Sequence, residues 1–223
     1  NEATIDFVEA DITETGCSTG TFTATSSTVY GSTCTASSDG TPTVAVAAGA
    51  FNDASGNDNT VSNTYPWTYD TTGPTMTITS ATVDSGSDTN TAAVVLTFTS
   101  NEATSNFAQA DITESGCSLG TFGTTSSTIY TDTCTVSADG AANVLVAADT
   151  FTDAVSNANS VSNTFDWTYD ATGPTMTITS TAGTADGGSS NVAAFALTFT
   201  SNEATANFVV GDITATGGDG CTL

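Results

Sequence analysis

Along residues 75–80, TMTITS, apolar and polar side chains alternate with period two, placing Met76 and Ile78 on one face and threonines on the other. That is the pattern of a half-buried strand. The run AAVVLTFTS at 92–100 continues it with Val94, Leu96 and Phe98 inward, and NFAQADITES at 106–115 adds Phe107 and Ile112 in further extended segments. STIYTDTCTVSADG at 127–140 ends on Asp-Gly, a tight-turn signal, so ANVLVAA at 142–148 is expected to return as its hairpin partner. NSVSNTFDWTY at 159–169 closes the series, and no segment carries a helical period. About seven short strands with turn residues between them, in about 100 residues, predict an all-β Greek-key sandwich of immunoglobulin type.

The pattern then repeats. Residues 1–70 align without a gap on 101–170 with 44 of 70 positions identical, and the NEAT motif recurs at Asn1, Asn101 and Asn202, a period of 100 and then 101 residues. Such a period is long enough for each repeat to be a domain with its own core. WTYDTTGPTMTITS at 67–80 and WTYDATGPTMTITS at 167–180 each set a Gly-Pro pair, Gly73-Pro74 or Gly173-Pro174, between two strand-like runs. Domains are expected to meet there. This divides the chain into the C-terminal part of one repeat (1–70), a complete repeat (71–170) and the N-terminal part of the next (171–223), with NEAT inside a domain. The sequence is thus expected to open and close in mid-domain.

The succession LTFTSNEATSNFAQADITESG, followed by YTDTCTVSADGAANVLVAADTFTDAVSNANSVSN, resembles the bacterial Ig-like repeats of very large secreted adhesins and microbial cell-surface proteins. The resemblance spans the whole chain. It implies tandem Ig-like sandwiches acting as spacers, stalks or structural modules, with copies of the same chain or neighbouring repeats as partners in a fibre.

Composition narrows the chemistry. The chain has 24 Asp and Glu and no Lys, Arg or His, giving a formal charge of −24 and a pI near 4.1. Binding to nucleic acid or to an anionic membrane surface has no electrostatic footing, whereas cations are attracted. Disorder is not expected, because 38% of residues are apolar and the alternation is regular. No apolar run is long enough to span a membrane. Without His there is no Ser-His-Asp or Cys-His arrangement, and without Lys or Arg no Schiff base or phosphate clamp. Only carboxylate chemistry is left, and no pair of acids stands out as an acid and nucleophile, so an enzyme is not expected.

Cys17 and Cys34 recur as Cys117 and Cys134 at the same spacing. One disulfide per domain in an oxidising, extracellular setting is the reading favoured over a pair of reduced core cysteines. Cys221 is expected to pair beyond the end of the sequence.

Hard oxygen ligands cluster in FNDASGNDN at 51–59, in its echo FTDAVSNAN at 151–159, and beside each Gly-Pro pair. Such clusters suit Ca²⁺, with Asp70, Glu102, Asp111, Asp153 and Asp170 as candidate ligands; the alternative is that these residues only form Asx-turns. If NEAT and the junction converge, Asp70, Glu102 and Asp111 are expected to hold one ion. Trp67 and Trp167 fit a sandwich core better than a sugar platform. The threonines and serines admit both O-glycosylation and simple strand propensity, so glycans are a second candidate partner, while no Asn-X-Ser/Thr sequon is present.

Overall fold

The computed structural model describes residues 2–4, 6–180 and 186–216. The chain forms two compact units, Asn1–Tyr169 and Asp170–Leu223. Cys221 lies outside the described residues.

In the first unit, residues 2–69 carry strands β1 (Ile12–Thr15), β2 (Cys17–Thr19), β3 (Thr23–Ser26), β4 (Val29–Gly31), β5 (Cys34–Ala36), β6 (Thr43–Val46) and β7 (Tyr65–Pro66). Strands β1, β6 and β7 form one sheet, while β2 pairs with β5 and β3 with β4. The stretch that follows carries β8 (Met76–Ser80), β9 (Ser87–Thr89), β10 (Ala93–Ser100), β11 (Ile112–Ser115), β12 (Ser118–Leu119), β13 (Gly123–Thr124), β14 (Ile129–Thr135), β15 (Gly140–Val146) and β16 (Phe165–Tyr169). These make two sheets: β12-β14-β10-β8, with β13 also on β14, and β11-β15-β16-β9. All pairings are antiparallel except β16 with β9. The fold is an all-β, Ig-like sandwich.

Alternation decides what faces inward. Along β10 the burial pattern puts Val94, Leu96 and Phe98 inside, all with no exposed surface, opposite Cys134, Asp132 and Tyr130 of β14. The second sheet answers with Ala142, Val144 and Val146 of β15 and Phe165 and Trp167 of β16. Phe107 caps this core, its ring edge-on to Tyr130 and Phe151 at 5.0 Å from each. The core reading of Trp167 holds: it is 2% exposed, with its ring 5.8 Å from that of Phe165.

One local expectation is corrected. The Asp-Gly at 139–140 does not join a hairpin, because β14 and β15 lie in different sheets. Both strands carry an inward row, Tyr130, Asp132 and Cys134 on β14 and Ala142, Val144 and Val146 on β15, and the four intervening residues carry the chain across the sandwich so that the rows face each other through the core. Gly140, at φ 149°, makes the bend in a region closed to other residues.

The structure bonds Cys17 to Cys34 and Cys117 to Cys134, with 5.6 Å between Cα atoms in each pair. Leu119 sits opposite Cys134, so the second bond ties β14 to the segment leading into β12, its neighbour in the same sheet. It therefore staples one edge of a sheet and does not bridge the two layers. Closing a loop of this size stabilises by about 3 kcal/mol in the chain-entropy model.

In the second unit β17 (Met176–Ser180) pairs antiparallel with β18 (Leu197–Ser201), setting Ile178 opposite Phe199.

Candidate functional site

The segment Asp70–Thr75 links the two halves of the first unit and is held from both sides. From the preceding half, Asp39 Oδ1 accepts from the Thr71 N–H (2.9 Å) and hydroxyl (2.8 Å), and Oδ2 from the Thr72 hydroxyl (2.5 Å). These bonds hold the Asp39 carboxyl below its ordinary range, the Thr72 hydroxyl contributing most. From the following half, Asn157 Nδ2 donates to the Asp70 carbonyl at 3.1 Å, Ser160 N–H to the Pro74 carbonyl at 3.0 Å, and Asn101 Oδ1 accepts from Thr75 N–H at 2.6 Å. Pro74 is fully buried, and a Cβ on Gly73 would run into the Ala158 carbonyl. The Gly-Pro pair is thus a packing requirement as well as a turn signal.

The same clamp gathers acids. Asp70 at the start of the link, Glu102 just after β10 and Asp153 in the 151–159 loop each place a carboxylate oxygen within 4.8 Å of the others. Asp153 is buried and the other two are half-buried. Burial, then repulsion from Asp70, Asp153 and Asp39, pushes the Glu102 carboxyl up. Burial also works against the Asp153 charge, but it is outweighed by hydrogen bonds from Asn157, Val155 and Ser156, which hold this carboxyl below its ordinary value.

Three of the acids singled out from the sequence therefore meet, and two do not join them. Asp111 is placed elsewhere: its Oδ2 accepts from Ala108 N–H at 2.8 Å and caps the 3₁₀ turn Gln109–Asp111. The same bond recurs at Asp11 and Asp212, so this acid recurs for a local backbone reason. Asp170 belongs to the second unit, where its Oδ1 accepts from Thr172 N–H at 3.0 Å; Gly173 and Pro174 are exposed there.

The loop 151–159 is largely self-satisfied. Asp153 Oδ1 accepts from Val155 and Asn157 N–H, and Asn159, 2% exposed, accepts from Thr150 and Phe151 N–H while donating to the Ala147 and Ser160 carbonyls. These are Asx-type bonds, so most of this polar cluster serves the backbone. Asp132, at 2% exposure, is an acid the sequence reading missed; Gln109 Nε2 (2.7 Å), Gly120 N–H (3.0 Å) and Thr133 N–H (2.7 Å) satisfy it. Only its place in an inward row of β14 signals that burial, and the aligned residue in the first copy is Ser32.

Residues 70–169 match the family model described as "Bacterial Ig-like domain". No curated protein and no solved structure matches the chain. The family match agrees with the sandwich and speaks to the fold of this segment. No helix among the described residues is long and apolar enough to cross a membrane.

Proposed function

We propose that this chain is a structural, non-catalytic extracellular protein: tandem Ig-like domains forming the shaft of a cell-surface filament, appendage or long adhesin. The observation that carries this reading is the clamped link. A string of domains on free linkers is a flexible chain, whereas a link hydrogen-bonded to both neighbours transmits orientation from one to the next. Repetition at a fixed interval then sets length. The two disulfides suit an oxidising exterior. Electron microscopy of the native material is expected to show a regular axial repeat; flexible monomers without one would overturn the filament reading.

A second reading concerns the Asp70, Glu102 and Asp153 group. Three carboxylates meet there in a chain that has no cationic side chain to neutralise them. Oxygen donors of this kind fit Ca²⁺, with solvent completing the shell. In this role the ion stiffens the link and makes the array calcium-dependent. Calcium at a hundredfold excess over its Kd is expected to stabilise the first unit by about 2.7 kcal/mol, several degrees in Tm, and Asp70→Asn to abolish the gain. An unchanged Tm on adding Ca²⁺ after EDTA would exclude it.

A further inference from the structure

In the domain spanning 70–169, the outer face of the sheet β12-β14-β10-β8 holds no charged side chain among the described residues. Alternation turns Asp132, the one acid of these strands, into the core and leaves threonine, alanine, valine and isoleucine outward on β8, β10 and β14. The register sets them in rows: Thr79, Thr97 and Thr131 cross the three strands in one, and Thr77, Thr99 and Ile129 in the next. Val95 and Ile129 lie on this face 51% and 36% exposed. The other sheet differs, since its outer face carries Asp88 and Asp166, both exposed.

The neutral face recurs with the repeat. Strands β17 and β18 set Thr177 opposite Thr200 and Thr179 opposite Thr198, as Thr77 faces Thr99 and Thr79 faces Thr97. The positions aligned with the outward row of β14 are Val29, Gly31, Thr33 and Thr35, again without an acid. The edges of the sheet, by contrast, are closed to further strands. Along β8, Ser160 N–H donates to the Pro74 carbonyl at 3.0 Å, and Asn163 accepts from the Ile78 N–H at 2.8 Å and donates to the Ile78 carbonyl at 3.0 Å. At the opposite edge β12 and β13 are two residues each. Plugged and very short edges resist strand addition, so the face is the open contact surface of this sheet.

We propose that this threonine face is a lateral contact between two copies of the chain, packed face to face about a two-fold axis. Charge selects the occupant. Copies that each carry −24 repel, and here they meet without setting carboxylate against carboxylate. With strands about 4.8 Å apart and alternate side chains about 6.8 Å apart, the outward residues of the three strands cover about 350 Å² per copy. That is under the roughly 800 Å² per partner of a stable interface, so a single pair of faces is weak. Repeats in tandem multiply it through effective concentration. The inference deepens the shaft reading by giving shafts a side on which to bundle, and it rests on the tandem-repeat part of that reading.

Sedimentation equilibrium of the whole chain tests it, in EDTA, with Cys221→Ser in every sample so that no free thiol links copies, and with circular dichroism to verify folding. Dimers are expected with a Kd of about 0.1–1 mM, tighter at 0.5 than at 0.05 M NaCl because salt screens the repulsion. At the higher salt, Val95→Glu with Thr99→Glu is expected to weaken association at least about tenfold. Val95→Lys with Thr99→Lys should weaken it as much, since in a two-fold contact each new charge meets its like. Lys variants that associate more strongly would show that net charge alone governs association, and would overturn the proposal. Thr113→Glu with Thr168→Glu, on the outer face of the other sheet, is expected to leave the Kd unchanged; an equal loss there overturns the proposal too. Thr79→Glu on β8 carries the same expectation should the β10 pairs disturb folding. Wild-type chain that is monomeric at about 1 mM in 0.5 M NaCl overturns the proposal, as do glycans found by mass spectrometry on Thr97 or Thr131 of native material, which would cover the face. A monomeric chain leaves the axial repeat expected in micrographs untouched, and micrographs without an axial repeat leave a measured dimer standing, so the two readings fail separately.

Discussion

At Glu102 the lack of any basic residue is felt most directly, because burial and three neighbouring carboxylates all disfavour its charge. A carboxyl whose folded pKa is raised destabilises the fold when ionised. That penalty is full above the raised pKa and relieved as pH falls toward the unfolded value of 4.5. Asp39, Asp53 and Asp153 have lowered pKa values and act oppositely, stabilising above 3.8 and losing that contribution as pH drops through their folded values. In EDTA, Tm is therefore expected to rise as pH falls from 7 toward the mid-4 range and to decline below about 3.8; Glu102→Gln should flatten the rise. An unaltered profile in that variant would move the source of the rise to general charge repulsion. The recurrence of Glu102 and Asp111 in the sequence carried no hint of their different roles. Asp111 caps a turn three residues back, a local task, whereas Glu102 meets Asp70 and Asp153 only through folding.

At the scale of elements, the strands were legible because a period of two is written in consecutive residues. Met76, Ile78, Val94, Leu96 and Phe98 are all buried as their alternation requires. Strand partnership was less so: β14 and β15 adjoin in sequence, yet each finds its neighbours elsewhere, since the inward row of one needs the inward row of the other across the core. The link at 70–75 shows the same mixture. Gly-Pro announced a junction, but the approach of the Ala158 carbonyl to Gly73 comes from a loop more than eighty residues away. Gly73→Ala is expected to destabilise by about 1–3 kcal/mol through overpacking, read in a denaturant melt. The matching Gly173→Ala, with open space around it, should cost much less.

For the molecule as a whole, a charge of −24 with no compensating cation sets a repulsion that every fold of this chain must overcome. With EDTA present, raising NaCl from 0.01 to 0.5 M is expected to raise Tm steadily, as the screening length falls from about 30 Å to a few ångströms. A Tm indifferent to salt would show that the acids are spaced widely enough for solvent alone to separate them. The disulfides stabilise without adding charge, which suits a chain with this imbalance.

The sequence by itself determined the strand class, the inward rows, the repeat and the absence of cationic chemistry, because each is written in local order or in composition. Tertiary structure alone decided which sheet each strand joins, which recurring acid caps a turn and which three converge, and that the link is gripped from both sides. These outcomes depend on contacts between residues tens of positions apart, and periodicity carries no record of who meets whom across a core.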